Sequence, residues 1–391
     1  MKTFPALALS AAMIVAACSG GTASNAAPAD TASLDASGAQ PATPLADAPF
    51  TVQEVAGFDE PWAMTFLPGG KQALVTERAG KLKLWRDGAP ALDVAGVPTV
   101  AYGGQGGLGD VILAPDFARS GTIYLSWAEA GGGDIFGAVV GKAKLVQGAQ
   151  PRLDGLQIIW KQDPKVPGRG HFSHRLAFSP DGHYLFVTSG ERQKFDPAQD
   201  MKANLGKILR LNPDGSVPAD NPFASEGGIT AQIWSLGHRN LLGIAFDGTG
   251  RLWQLEMGPK GGDEVNLVEA KANYGYPIVS NGDHYDGEDI PDHPTRPEFA
   301  APKLWWNPSI SPAGLAWYDG DVYPGWKNSL LMGALSGEGL IRMAIDGDTL
   351  HKSDRWDFGQ RIREVEVRED GSVWLLTDGK SGKLVKLVPK G

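Results

Sequence analysis

The chain has 391 residues, of which 42% are hydrophobic and 21% charged, and it carries a formal net charge of −9. That is ample apolar material for a large core, while the acidic balance disfavours a nucleic-acid partner, whose phosphates it would repel. With 52 glycines and 28 prolines, the composition suits many short strands joined by tight turns better than long helices.

In chain order, Met1 and Lys2 give a minimal positive start, and residues 4–17 are apolar but too few to span a bilayer as a mature helix. This stretch closes on Val15, Ala16, Ala17 and Cys18, which resembles the lipobox of bacterial lipoproteins; the alternative is an ordinary secretory cleavage site. The resemblance implies loss of residues 1–17 and lipidation of Cys18. It also implies a periplasmic location at the outer membrane, with membrane contact through that anchor alone. Cys18 is the sole cysteine, so no intramolecular disulfide can form. Residues 18–48 hold hardly a large apolar side chain and cannot bury enough surface to offset their ordering entropy, so they read as a flexible tether. Residues 49–391 form the folded domain.

Within that domain one pattern returns six times: an apolar strand, a turn rich in Pro, Asp and Gly, and a second apolar strand. Phe66, Leu113, Phe178, Phe246, Trp317 and Val367 occupy equivalent positions, at spacings of 47, 65, 68, 71 and 50 residues. Strand-like alternation with a long recurrent period predicts an all-β fold, a six-bladed β-propeller of four-stranded antiparallel blades. The first and last strands are expected to close the ring, which removes free sheet edges. A β-sandwich, or two unrelated β-domains, is the competing architecture.

Propeller ligands sit at a mouth of the central channel, on loops that lead into the innermost strands. Before the third hairpin stand His171 and His174. On spacing alone either fits a packed histidine or a general base, and without a third ligand they do not make a zinc site. Before the fourth, Arg239 and Asn240 offer a planar cation and an amide, suited to a carboxylate or carbonyl. The turn from Gly258 and Pro259 to Asp263 and Glu264 presents hard oxygen donors suited to Ca²⁺, or is simply a solvated loop. Before the last hairpin, Arg361 and Arg363 share one strand face; they read equally as a polyanion clamp or as surface salt bridges.

These segments, in this order, resemble the PQQ-dependent soluble aldose (glucose/sorbosone) dehydrogenase family. The likeness runs from Pro61 and Trp62 through Gly104–Gly109, Gly237–Asn240, Gly262–Asn266 and Asn273–Pro277 to Gln360–Arg363 and Asp378. It implies oxidation of an aldose sugar at C1 to its lactone, by hydride transfer to pyrroloquinoline quinone (PQQ). His171 would be the base and Glu191 the carboxylate that orients it. Gln105, Arg239 and Asn240 would contact the cofactor, and Arg361 and Arg363 would pair with its carboxylates. The carbonyls of Gly258 and Pro259 would hold the catalytic Ca²⁺, and Glu264 with the Tyr274 carbonyl a second, structural one. The implied partners are the sugar and an electron acceptor (a quinone, cytochrome or dye), to a monomer or dimer. Two departures stand out: Ser336 where the family commonly has a lysine facing the cofactor, and Met257 in place of a histidine. Trp305 and Trp306 fit either sugar stacking or blade packing. A calcium-dependent propeller lactonase and a non-catalytic sugar- or protein-binding propeller are the competing functions.

Overall fold

The structure, a computed structural model, describes residues 40–391; the signal segment, Cys18 and most of the tether lie outside the described residues. From Gln40 onward the chain is folded. Thr43–Pro44 pairs in parallel with Trp356 and Asp357, and Ala48 is buried.

Six small antiparallel sheets form a ring. Their innermost strands are Pro61–Phe66, Leu108–Leu113, Ser173–Phe178, Asn240–Phe246, Pro312–Tyr318 and Ile362–Val367, which open blades 1 to 6. Each pairs with the next strand in sequence, so the six repeated hairpins are the two inner strands of the six blades. Blade 6 takes its outermost strand, Phe50–Phe58, from the start of the domain; it pairs with Gly382–Pro389 from the end and shuts the ring. The core lies between blades. Trp253, Leu255 and Val265 of blade 4, for example, pack against Leu330, Met332 and Ile341 of blade 5. Burying each such aliphatic side chain contributes about 1.5–3 kcal/mol.

One feature of the innermost strands bears directly on function. All six carry a register shift close to their N-terminal end, as between Ser173 and Leu176 or between Ile362 and Glu364. A bulge there breaks the strict in–out alternation and turns side chains toward the axis. Residues at and just before these bulges, among them Trp62, Ser173, Asn240, Ser311, Arg361 and Arg363, form part of the lining of the candidate site.

Below that site the axis holds a cavity of about 130 Å³ lined by Asp110, Arg175, Glu364 and Glu366. Burial pushes Glu364 up to about 7. Burial and the neighbouring carboxylates of Glu364 and Asp110 raise Glu366 well above the usual carboxylate range. A carboxyl whose native pKa exceeds its unfolded one favours the native state while protonated, and that advantage fades as pH rises past the unfolded value. Glu366→Gln is therefore expected to raise Tm at pH 8 by about 1–3 °C and to leave it unchanged at pH 4. Thermal scans at both values check this, and a stabilisation equal at both would refute it.

Candidate active site

His171 lies on the loop entering the innermost strand of blade 3. It is buried and adopts a left-handed backbone, φ +46°, as do Ser173 at +58° and His174 at +63°. Non-glycine residues rarely accept this geometry, and it concentrates where a site demands it. The His171 N–H donates to Gln105 Oε1 at 2.7 Å, and Nδ1 is hydrogen-bonded to Oε1 of the fully buried Glu191. The second Glu191 oxygen accepts the backbone N–H groups of Lys194 at 2.6 Å and Phe195 at 2.8 Å.

The electrostatics fix the protonation of this pair. Burial holds His171 below its ordinary pKa, against the pull of Glu191 and reinforced by the positive charges of Arg239 and Arg192. Burial also opposes ionisation of Glu191, but its bonds to His171 and to the Phe195 N–H outweigh that and keep the carboxyl below its usual range. An ionised carboxylate only accepts, so the proton sits on Nδ1 and the lone pair on Nε2. A neutral imidazole with a fixed tautomer is what a general base requires near pH 7.

His174 lines the larger axial cavity, but its ring is bonded differently. Its Nδ1 lies 2.8 Å from Ser126 Oγ and its ring stacks on Trp62 at 5.3 Å. Burial and the adjacent Arg175 push it down to about 3, so it stays neutral as a packed residue. Among the described residues no three His, Cys, Asp or Glu side chains converge as a metal site.

A cavity of about 330 Å³ opens at the axis, lined by Gln105, Asn240, Arg361 and Arg363 and floored in part by Trp62. Arg361 and Arg363 share the carboxylate of Asp378, at 2.7 and 3.1 Å. The salt bridges of one expected reading are present, through a single acid, and both arginines also line the cavity. Burial opposes ionisation of Asp378, but the two arginines hold it below the carboxylate range. Ser336 also stands on this side, its hydroxyl donating to the Ser311 hydroxyl at 2.8 Å. Ser311 lines the cavity, so a neutral pair occupies the place where a lysine would have added charge.

Met257 lines both this cavity and a smaller one of about 10 Å³, bounded by Arg239, Gly258, Pro259, Glu264 and Tyr274. That volume takes a single water- or ion-sized particle. The loop winds tightly here: a Cβ on Gly258 would overlap the carbonyl oxygens of Gly261 and Gly262. Arg239 reaches across, with Nη1 donating to the carbonyls of Met257 at 2.9 Å and Gly258 at 2.6 Å, while its buried Nε has no partner. Glu264 is buried, and burial together with the nearby Glu256 charge raises its pKa well above normal. His293 stands 3.9 Å from its carboxylate, and its unpartnered Nδ1 is buried. A cavity bounded by backbone-rich Gly258 and Pro259, a carboxylate short of positive charge and a donor short of an acceptor fit an oxygen-ligated divalent cation beside an anionic, carbonyl-bearing ligand.

Of the residues expected at the site, Gln105, Asn240, Arg361 and Arg363 line the larger cavity and Arg239, Gly258, Pro259, Glu264 and Tyr274 the smaller. His171 and Glu191 line neither and adjoin them through the Gln105 side chain and the Arg239 carbonyl. Trp306 is buried in blade 4, with the Lys352 ammonium over its ring. The Trp305 carbonyl accepts from that same lysine, and neither tryptophan lines the two cavities; Trp306 packs within its blade. Sequence reasoning missed Asp378, Trp62 as the floor, and Arg192. Arg192 is signalled only by its position directly after Glu191.

The family model for glucose/sorbosone dehydrogenases matches residues 58–386. Aldose sugar dehydrogenase YliI of Escherichia coli (strain K12) is 40% identical over 340 residues, covering 85% of this chain and 91% of that protein. The crystal structure of the soluble aldose sugar dehydrogenase from Escherichia coli in its apo form superposes with a TM-score of 0.82 at 38% identity. It covers 87% of this chain and 100% of its own. The PQQ-bound form of an aldose sugar dehydrogenase from Streptomyces coelicolor gives a TM-score of 0.73 at 25% identity, over 90% and 100% of the two chains.

Proposed function

The chain belongs to the glucose/sorbosone dehydrogenase family, and from that premise we propose that it oxidises aldose sugars at C1 to lactones, with PQQ and Ca²⁺ as cofactors. One aldose gives up a hydride from C1 and a proton from its C1 hydroxyl, yielding one lactone and two electrons for an external acceptor. When bound, PQQ supplies the hydride acceptor and Ca²⁺ polarises its quinone.

The chain's own residues do the rest. His171 Nε2 takes the hydroxyl proton, and Glu191 keeps the imidazole in the required tautomer and stabilises the imidazolium that forms. Arg361 and Arg363 hold the cofactor's carboxylates, already gathered by Asp378. Gln105, Arg239 and Asn240 orient it, with the unpartnered Arg239 Nε available to a carbonyl. The carbonyls of Gly258 and Pro259 hold one Ca²⁺, and Glu264 with the Tyr274 carbonyl holds a second. The observation that carries this reading is the buried His171–Glu191 pair beside a cavity flanked by two arginines on one acid. The PQQ-bound relative supports the choice of cofactor.

The test is reconstitution. Protein stripped with chelator is expected to reduce a dye with aldoses only when both PQQ and Ca²⁺ are restored, and to lose that activity when chelator returns. Absence of turnover with every aldose tried overturns the proposal, and lactone hydrolysis without PQQ would move the chain to the lactonases.

A further inference from the structure

His171 holds a strained backbone, and its own hydrogen bonds do not explain what keeps it there. The loop around it, residues 168–174, carries three left-handed non-glycine residues. It makes few backbone hydrogen bonds of its own around the histidine. A single side chain grips it from both flanks. Arg192, 1% exposed, donates from Nε to the Gly170 carbonyl at 2.7 Å and from Nη2 to the Gly168 carbonyl at 2.5 Å. Its Nη1 reaches into blade 2, to the Phe136 carbonyl at 2.6 Å and Gln162 Oε1 at 3.3 Å. Its guanidinium carbon sits 3.7 Å from the centre of the Phe172 ring. The residues on either side of the histidine, Gly170 and Phe172, therefore rest on one planar cation.

Among the described residues no carboxylate lies within salt-bridge distance of Arg192, although the neighbouring Glu191 charge favours its protonated form. A buried cation satisfied by neutral carbonyls costs solvation energy, and burial lowers its pKa to about 10. Stability alone would be served as well by an apolar residue of similar size. What the guanidinium offers instead is a rigid fork of donors at fixed angles, which a lysine cannot reproduce.

Building on the proposed role of His171, we propose that Arg192 is a positioning residue for the base, holding the 168–174 loop so that Nε2 meets the substrate. The charged and polar groups that face His171 are Glu191, Arg239, Arg192 and the Gln105 amide. Arg192 thus has two separable effects on the histidine, one of geometry and one of charge.

Two variants divide them. Arg192→Lys keeps the charge and loses the fork; it is expected to lower kcat about 10²-fold with the sugar KM and the PQQ affinity little changed, and with the acid limb of the pH–rate profile in place. Arg192→Gln is expected to lower kcat as much and also to move that limb upward. Gln162→Met, which removes one acceptor of the fork, guards against misfolding of the arginine variants and is expected to show a smaller fall in kcat. Wild-type kcat in Arg192→Lys overturns the proposal, because charge alone would then suffice. So does a loss that only tracks the folded or PQQ-bound fraction, or an unaltered kcat in Gln162→Met when both arginine variants fail to fold. If the wild type itself shows no PQQ-dependent turnover, the proposed function fails instead.

Discussion

Replacing His171 with alanine is expected to lower kcat by roughly 10²- to 10⁴-fold while PQQ still binds, with a lower melting temperature because the buried Glu191 loses its imidazole partner. Gln105 still accepts the residue-171 N–H and Arg192 still holds the Gly168 and Gly170 carbonyls, so the loop stays braced. The fall should appear in kcat more than in the sugar KM, because proton removal belongs to the transition state. In the wild type the base must be neutral, and burial holds its pKa below the ordinary histidine value. The rate should therefore decline on acidification only below about pH 6.5. Steady-state kinetics across pH, with a fluorescence titration of PQQ, make the check. A variant that keeps a tenth of wild-type kcat, or an acid limb above pH 7, would remove His171 from the reaction.

The second large effect concerns stability. Arg175 is buried against the Trp62 ring at 4.0 Å. It bonds to the Glu364 carboxylate, approaches Asp110 at 3.5 Å and donates to the Leu242 carbonyl at 2.9 Å. Arg175→Met would leave Asp110, Glu364 and Glu366 around one cavity with no cation among them. Removing one partner of a buried pair costs about 3–5 kcal/mol, and that cost is expected in denaturant unfolding at pH 8. Glu364, already raised to about 7, would rise further without the arginine. The carboxyls would then enter the native state protonated at low pH, so the loss should shrink markedly at pH 5. An equal loss at both values would show that the arginine acts through packing alone. The position matters for function as well, since Trp62 is part of the floor of the upper cavity.

The propeller was legible because its signal is repetitive and local. Each hairpin announces itself by an apolar strand, a Pro-Asp-Gly turn and a second apolar strand, and six copies average out the ambiguity of any one. The spacings, longer between Leu113 and Trp317 than elsewhere, reflect loops inserted within blades rather than a change of fold. The site was legible only as candidates. Alternation put Arg361 and Arg363 on one face, but nothing local tied them to Asp378, fifteen or more residues later. His171 and His174 were indistinguishable by spacing. Three residues of left-handed backbone and a bulge send one to Glu191 and the other to Ser126. Bulges leave no composition signal, so nothing marked Trp62 as a cavity wall, and Arg192, beyond the end of its strand, carries no local signal but its place after Glu191. Resemblance to a family chose among the candidates, and the geometry then supplied the reasons.

The closing of blade 6 has a consequence for how the chain acquires its structure. Thr51 and Val388, bonded across that blade, are 337 residues apart in sequence. Loop-closure entropy must be met before such a pairing returns anything, and assemblies dominated by distant contacts form slowly. The ring cannot be complete until the final strand is available, so Arg361, Arg363 and Asp378, all on the last blade, are set in place at the end of folding. A nascent or truncated chain would possess His171 before it possesses Arg361, Arg363 and Asp378, so under the proposed function cofactor capture would have to wait for the ring to close.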